Sequence, residues 1–134
     1  MSKLELPYVT VTFDAPIVYY TYKQGAELGF PEMKEVIRAA EKLSWSRPYF
    51  TFSDVRAKMN VTPEGRKYIM DFRHMPYFRG AAVLVSTSMM KVALNFFSYF
   101  QKKKYPLKAF TSKEKALEWL NTLPLDNESP EFAH

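Results

Sequence analysis

Six residues in a row, Gly80-Ala81-Ala82-Val83-Leu84-Val85, carry no polar side chain. A strand with one wet face alternates apolar and polar positions. A continuous run instead implies cover on both faces, and such strands belong to parallel sheets wrapped by helices. Ser86-Thr87-Ser88 then reads as a tight polar turn, and a helix is predicted over residues 88–102. A buried strand, a turn and a long helix form one βα unit, to which the rest of the chain can be fitted.

Upstream, Val9, Val11 and Phe13 alternate with Tyr8, Thr10 and Thr12, and residues 17–22 are again β-branched and aromatic. Asp14-Ala15-Pro16 between them has turn chemistry, so an N-terminal hairpin is expected. Residues 23–29 read as a loop. A helix follows, with Pro31 at its first position, Glu32 and Glu35 in its first turns, and Met33, Val36, Ile37, Ala40 and Leu43 on one face. Arg47-Pro48 is its expected stop. Tyr49 to Phe52 is a short strand ending at Ser53-Asp54, and residues 55–61 read as a loop. Thr62-Pro63-Glu64 is a capped helix start, with Tyr68, Ile69, Phe72 and Met75 as the buried face and Pro76 as the end.

After the long helix, closed by Lys102-Lys103-Lys104, residues 105–110 form a short strand. Pro106 cannot donate to a ladder, which assigns that strand to an edge. Thr111 to Glu114 has the spacing of a capping box, and Ala116, Leu117, Leu120 and Leu123 face inward up to Pro124. The order β-β-α-β-α-β-α-β-α predicts an α/β domain. It has an N-terminal β-hairpin, then βα units, and a mixed, mostly parallel sheet with helices packed on it.

The 134 residues suit one domain, assigned to 1–124, with 125–134 as an acidic flexible tail. The absence of cysteine excludes disulfides and thiolate chemistry. Residues 1–7 lack a signal-peptide core. Met89 to Phe100, broken by Lys91 and Asn95, is too short to span a bilayer, and a cytoplasmic protein is expected. The net charge of +5 would suit anionic partners, but a solvated basic surface is the preferred reading.

Pro106, Phe110-Thr111-Ser112, Glu114, Ala116-Leu117 and Trp119-Leu120 form a closing signature. With the element order, it resembles the SpoIIAA-like branch of the STAS superfamily over roughly residues 8–123. The resemblance implies a SpoIIAA-like (STAS) fold and a non-enzymatic module. Some members act through a serine phosphorylated in an Asp-Ser-Ser-Gly turn; others are thought to hold an apolar or nucleotide ligand. Here Asp54 is followed by Val55-Arg56-Ala57, so the phosphosite does not carry over.

Two candidate sites follow. Ligands of open α/β sheets bind beyond the carboxyl ends of the strands. Asp54, Arg56, Lys58, Thr62, Ser86, Thr87 and Ser88 should converge there as a site for a small anion or ligand, against the simpler reading that the hydroxyls cap their own helices. On the long helix, Lys91, Asn95, Ser98 and Lys102 share a polar stripe, and Met89, Ala93, Phe96, Phe97 and Phe100 lie opposite. Met90, Val92, Leu94 and Tyr99 widen that apolar arc beyond what sheet cover needs. Neighbouring helices covering these flanks is the simplest reading; a self-association surface comes next, and a pocket for an apolar ligand last.

His74 has no acidic or histidine partner at i+4, and no nucleophile–base pair or metal set can be drawn. No cofactor and no catalysis are expected. Arg79 to Val83 faintly echoes an RNA-binding core motif but has alanines where stacking aromatics are needed, so nucleic acid is not the expected partner. The expected function is an interaction or regulatory module that pairs with a protein or a second copy as a homodimer. The runner-up is a carrier or sensor of a small apolar or anionic ligand.

Overall fold

The computed structural model describes residues 2–88, 90, 91, 95 and 105–125, leaving aside the side chain of residue 72. Among them the elements run β1 (Ser2–Glu5), β2 (Val9–Asp14), β3 (Ile17–Tyr22), β4 (Glu27–Leu28), α1 (Phe30–Leu43), β5 (Tyr49–Asp54), β6 (Asn60–Val61), α2 (Pro63–Ile69), β7 (Phe78–Leu84), β8 (Leu107–Phe110) and α3 (Lys113–Leu120). Residues 88, 90, 91 and 95 are helical; the rest of the helix predicted over 88–102 lies outside the described residues.

Six strands form one sheet in the order β1-β2-β3-β5-β7-β8. The β1–β2 and β2–β3 pairs are antiparallel; β3–β5, β5–β7 and β7–β8 are parallel. This is the mixed, mostly parallel sheet expected from the element order. The apolar run lies in β7, second from the edge. Gly80, Ala81, Ala82 and Leu84 are buried, and Val83 alone is half-exposed, for a reason given below. Val85 extends the pairing by donating its N–H to the Phe110 carbonyl at 2.8 Å.

Each face has its own core. On one, Met33, Val36, Ile37 and Ala40 of α1 pack with Val9, Val11, Val18, Tyr20 and Ala81. Burying a side chain the size of Met33, Val36 or Ile37 is worth about 1.5–3 kcal/mol. On the other, Ala116 and Leu120 of α3 pack with Phe50, Phe52, Ala82, Leu84 and Phe110.

The structure departs from the sequence reading at several points. Residues 2–5 add a strand, β1. The two expected loops each hold a two-residue strand, β4 and β6, which pair in parallel as a separate small sheet. α1 ends at Leu43, before the expected Arg47-Pro48 stop, because Ser44, Trp45 and Ser46 fold back to bond the carbonyls of its last turn.

α2 ends at Ile69 instead of running to Met75. Asp71 takes the Arg73 N–H at 3.2 Å and the Arg73 guanidinium at 2.8 and 2.6 Å, which competes with the helix ladder and starts a 3₁₀ turn, Phe72–His74. Ser112, not Thr111, caps α3 by accepting from the Lys115 N–H, so the expected box with Glu114 does not form.

β8 is the expected edge strand. Its outward-facing Ala109 is closed off by one side chain: Asn95 Oδ1 accepts the Ala109 N–H at 2.7 Å, and Asn95 Nδ2 donates to the Ala109 carbonyl at 3.3 Å. The polar stripe of the long helix therefore includes an edge clamp. An unpaired edge left open would template pairing with another chain.

Candidate functional site at the carboxyl edge of the sheet

The hydroxyls at the strand ends divide into caps and lining. Thr62 Oγ1 accepts the Gly65 N–H at 3.1 Å and caps α2. Thr87 Oγ1 accepts the Met90 N–H at 3.1 Å, and the Thr87 carbonyl accepts from Lys91, opening the next helix. Ser88 is exposed and already helical. Both threonines are thus committed to their own helices, and neither lines the cleft described next.

Between the 55–61 segment, α2 and the start of the Thr87 helix lies a cleft of about 630 Å³. Its floor is Val83 and Leu107, which is why Val83 alone in β7 is half-exposed. Val55, Met59 and Val61 form one wall, Ile69 of α2 and Met70 just after it a second, and Met90 a third. Three methionines among the described residues line it, side chains that adapt to varied apolar shapes. Arg56, Lys58, Arg66 and Ser86 supply its polar lining.

Of the seven candidate ligand residues, then, Arg56, Lys58 and Ser86 meet in the cleft. Asp54 opens instead onto a separate groove of about 390 Å³ beside α3, lined also by Tyr19, Phe52 and Lys113. Asp54 and Arg56 form a two-pronged pair, at 2.9 and 2.7 Å. The Arg56 guanidinium holds the Asp54 carboxyl below its ordinary range, and Asp54 raises Arg56 in turn. The pair persists above the usual carboxylate range and is lost as pH falls through the lowered value.

Lys58 and Arg66 are exposed, and no carboxylate pairs with either among the described residues. The Lys58 segment is latched in place: its N–H donates to Gln24 Oε1 at 3.1 Å, and its carbonyl accepts from Gly25 at 2.7 Å.

A family model for a domain of unknown function, DUF7793, matches residues 11–124. The chain belongs to the DUF7793 family. The family match thus includes the sheet from within β2 onward, α1, α2, α3 and the described lining of the cleft. Among solved structures, the DUF7793 chain is similar to an uncharacterised protein of the DUF3478 family with a SpoIIAA-like fold, from Shewanella loihica PV-4. The TM-score is 0.59 at 15% identity, over 84% of this chain and 91% of that one. The fold is SpoIIAA-like. No curated protein matches this sequence.

The sequence reading missed Arg66, Ile69, Met70, Val83 and Leu107 as lining. The available signal was the apolar spacing of Val55, Met59 and Val61 in a segment that should otherwise be a polar loop. Of the candidate interface residues, Met90 is 43% exposed and stands at the cleft, whereas Val92, Leu94 and Tyr99 lie outside the described residues. His74 stacks on Tyr68, with ring centroids 4.1 Å apart, and lies 3.5 Å from Asp71. No described helix is long and apolar enough to cross a membrane.

Proposed function

We propose that this DUF7793 domain is a SpoIIAA-like module that works by binding, and that the cleft over Val83 and Leu107 holds a small ligand with an apolar body and an anionic end. The carrying observation is the pairing of a cleft of about 630 Å³ with mainly apolar walls and two cations, Lys58 and Arg66, that have no acidic partner among the described residues. Ligand pockets are typically of this size and makeup, with a few polar groups fixing orientation. An apolar body gains by displacing water from Val83, Leu107 and the methionines. The anionic end gains from Lys58 and Arg66 without having to break an existing ion pair.

Anilinonaphthalene sulfonate, an apolar ring system with one sulfonate, is a suitable probe. Titrated into the folded protein, it should brighten saturably. Val83→Trp fills the floor and should weaken binding about tenfold or more, and Lys58→Glu with Arg66→Glu about as much, each tenfold being about 1.4 kcal/mol. Equal brightening of wild type and Val83→Trp, both with native circular dichroism, would place the probe elsewhere and remove the reading.

A second reading, self-association through Met90, Val92, Leu94 and Tyr99, is supported by the 43% exposure of Met90. Sedimentation should then give a dimer that Met90→Lys converts to a monomer. A wild-type monomer at high concentration eliminates pairing and leaves the ligand reading intact.

A further inference from the structure

The most exposed large apolar side chain described is Trp45, at 80%. It follows the last turn of α1 with φ of 58°, and Ser46 follows with φ of 53°. Left-handed backbone at a bulky residue is uncommon and costs about 1–2 kcal/mol. Here it is held by three backbone bonds to the helix end: Trp45 to the Lys42 carbonyl, Ser46 to that of Glu41, and Arg47 to that of Ser44. The turn spends backbone strain while presenting an indole to water.

Beside Trp45 is a groove of about 300 Å³, bounded by Phe13, Pro16, Arg47 and Pro48 and, from the far end of the sequence, Leu125. Leu125 is itself 42% exposed. Two of the four exposed large apolar residues among the described ones thus meet at this one groove, at the opposite end of β3 and β5 from the cleft. Arg47 is exposed and pairs with no carboxylate among the described residues.

We propose that the groove is a docking surface for the chain's own residues 126–134. The described chain runs as far as Leu125, at the groove itself, so the next residues start there. They are Asp126-Asn127-Glu128-Ser129-Pro130-Glu131-Phe132-Ala133-His134: three carboxylates, no lysine or arginine, and one aromatic ring. The carboxylates complement Arg47, and Phe132 offers a ring to the exposed indole. Nine residues reach about 30 Å when extended, ample to cross the groove. The tether is short, and such tethers give effective concentrations in the millimolar range. A local affinity of the same order keeps the groove filled about half the time, so indole exposure should about double when the segment is removed.

The test uses Trp119→Phe, which leaves Trp45 as the sole indole, in the 134-residue chain and in a chain ending at Leu125. Native circular dichroism is required of both. Acrylamide should quench Trp45 about twofold more strongly in the shortened chain. A synthetic 126–134 peptide at millimolar concentration should restore protection. Arg47→Glu in the full chain should raise quenching toward the shortened value. Equal quenching of the two chains overturns the proposal. Protection that rises with protein concentration and survives truncation also overturns it, since a second copy would then be the occupant.

Discussion

Gly65→Ala is expected to lower the melting temperature by about 10 °C, a loss near 3 kcal/mol for a chain of this size. The sign is not obvious, because replacing glycine inside a helix ordinarily gains about 0.5–1 kcal/mol. At this position a Cβ would stand 2.4 Å from the carbonyl oxygen of Leu28 and 3.2 Å from the Gly29 backbone. Those are backbone atoms and cannot swing aside. The same Leu28 oxygen accepts the Thr62 N–H at 3.0 Å, the bond that leads β6 into α2. α2 must therefore move off the β4–α1 junction, with an overpacking cost of about 1–3 kcal/mol in addition to the strained bond.

Gly25→Ala is the contrast. Nothing lies within 4 Å of its added Cβ, but φ is +80°, so only backbone strain of about 1–2 kcal/mol is expected. Because α2 and its C-cap also contribute Arg66, Ile69 and Met70 to the cleft, Gly65→Ala should weaken probe binding too. A Gly65→Ala protein as stable as wild type, or more so, would contradict the close approach of α2 to Leu28.

Raising the pH should unfold the protein abruptly above about pH 10, the ordinary tyrosine value. Burial pushes the Tyr20, Tyr22 and Tyr49 hydroxyls upward. Burial also raises Tyr8, assisted by its hydrogen bond to the Glu35 carboxylate. The sign is that of groups whose folded pKa lies above the unfolded one. Their contribution is fully present below about pH 10 and is lost as pH rises, because the unfolded chain releases these protons first.

With the three buried tyrosines, stability should fall by about 4 kcal/mol per pH unit once the unfolded chain ionises, and the more exposed Tyr8 adds less. That would exhaust a typical 5–15 kcal/mol within a few units. Phenolate absorbance and far-ultraviolet circular dichroism followed together should show the buried tyrosines titrating only as the secondary structure collapses. All nine tyrosines titrating smoothly near pH 10 with the fold intact would contradict the burial of β3 and β5.

Much of the fold was legible where a local rule had one outcome. The unbroken run at 80–85 read as a covered strand, which holds for all but Val83 at the cleft, and Thr62-Pro63-Glu64 read as a helix start. Pro106 restricted its strand to an edge. Where two neighbours could do the same work, the sequence did not decide. Thr111 and Ser112 both carry a capping hydroxyl; β8 pairs Phe110 with Leu84, and the cap falls to Ser112.

α2 looked longer because Tyr68, Ile69, Phe72 and Met75 keep helical spacing, yet Asp71 diverts the backbone between them. β4 and β6 are two residues each and exist only because tertiary contacts bring residues 27–28 beside 60–61. The cleft was half-legible for a related reason. Its cations at 56 and 58 lie beyond the carboxyl end of a strand, where a general rule applies. Its floor and second wall come from β7, β8 and α2, joined by no local pattern.

The most direct test of the cleft follows methionine methyl resonances during an anilinonaphthalene sulfonate titration. Met59, Met70 and Met90 line the cleft, whereas Met33 and Met75 are buried in the core beneath α1 and serve as internal references. The first three should shift together and saturate with one affinity while the references hold still. Shifts confined to Met33 and Met75, or none at millimolar probe, would contradict a binding site at this edge of the sheet.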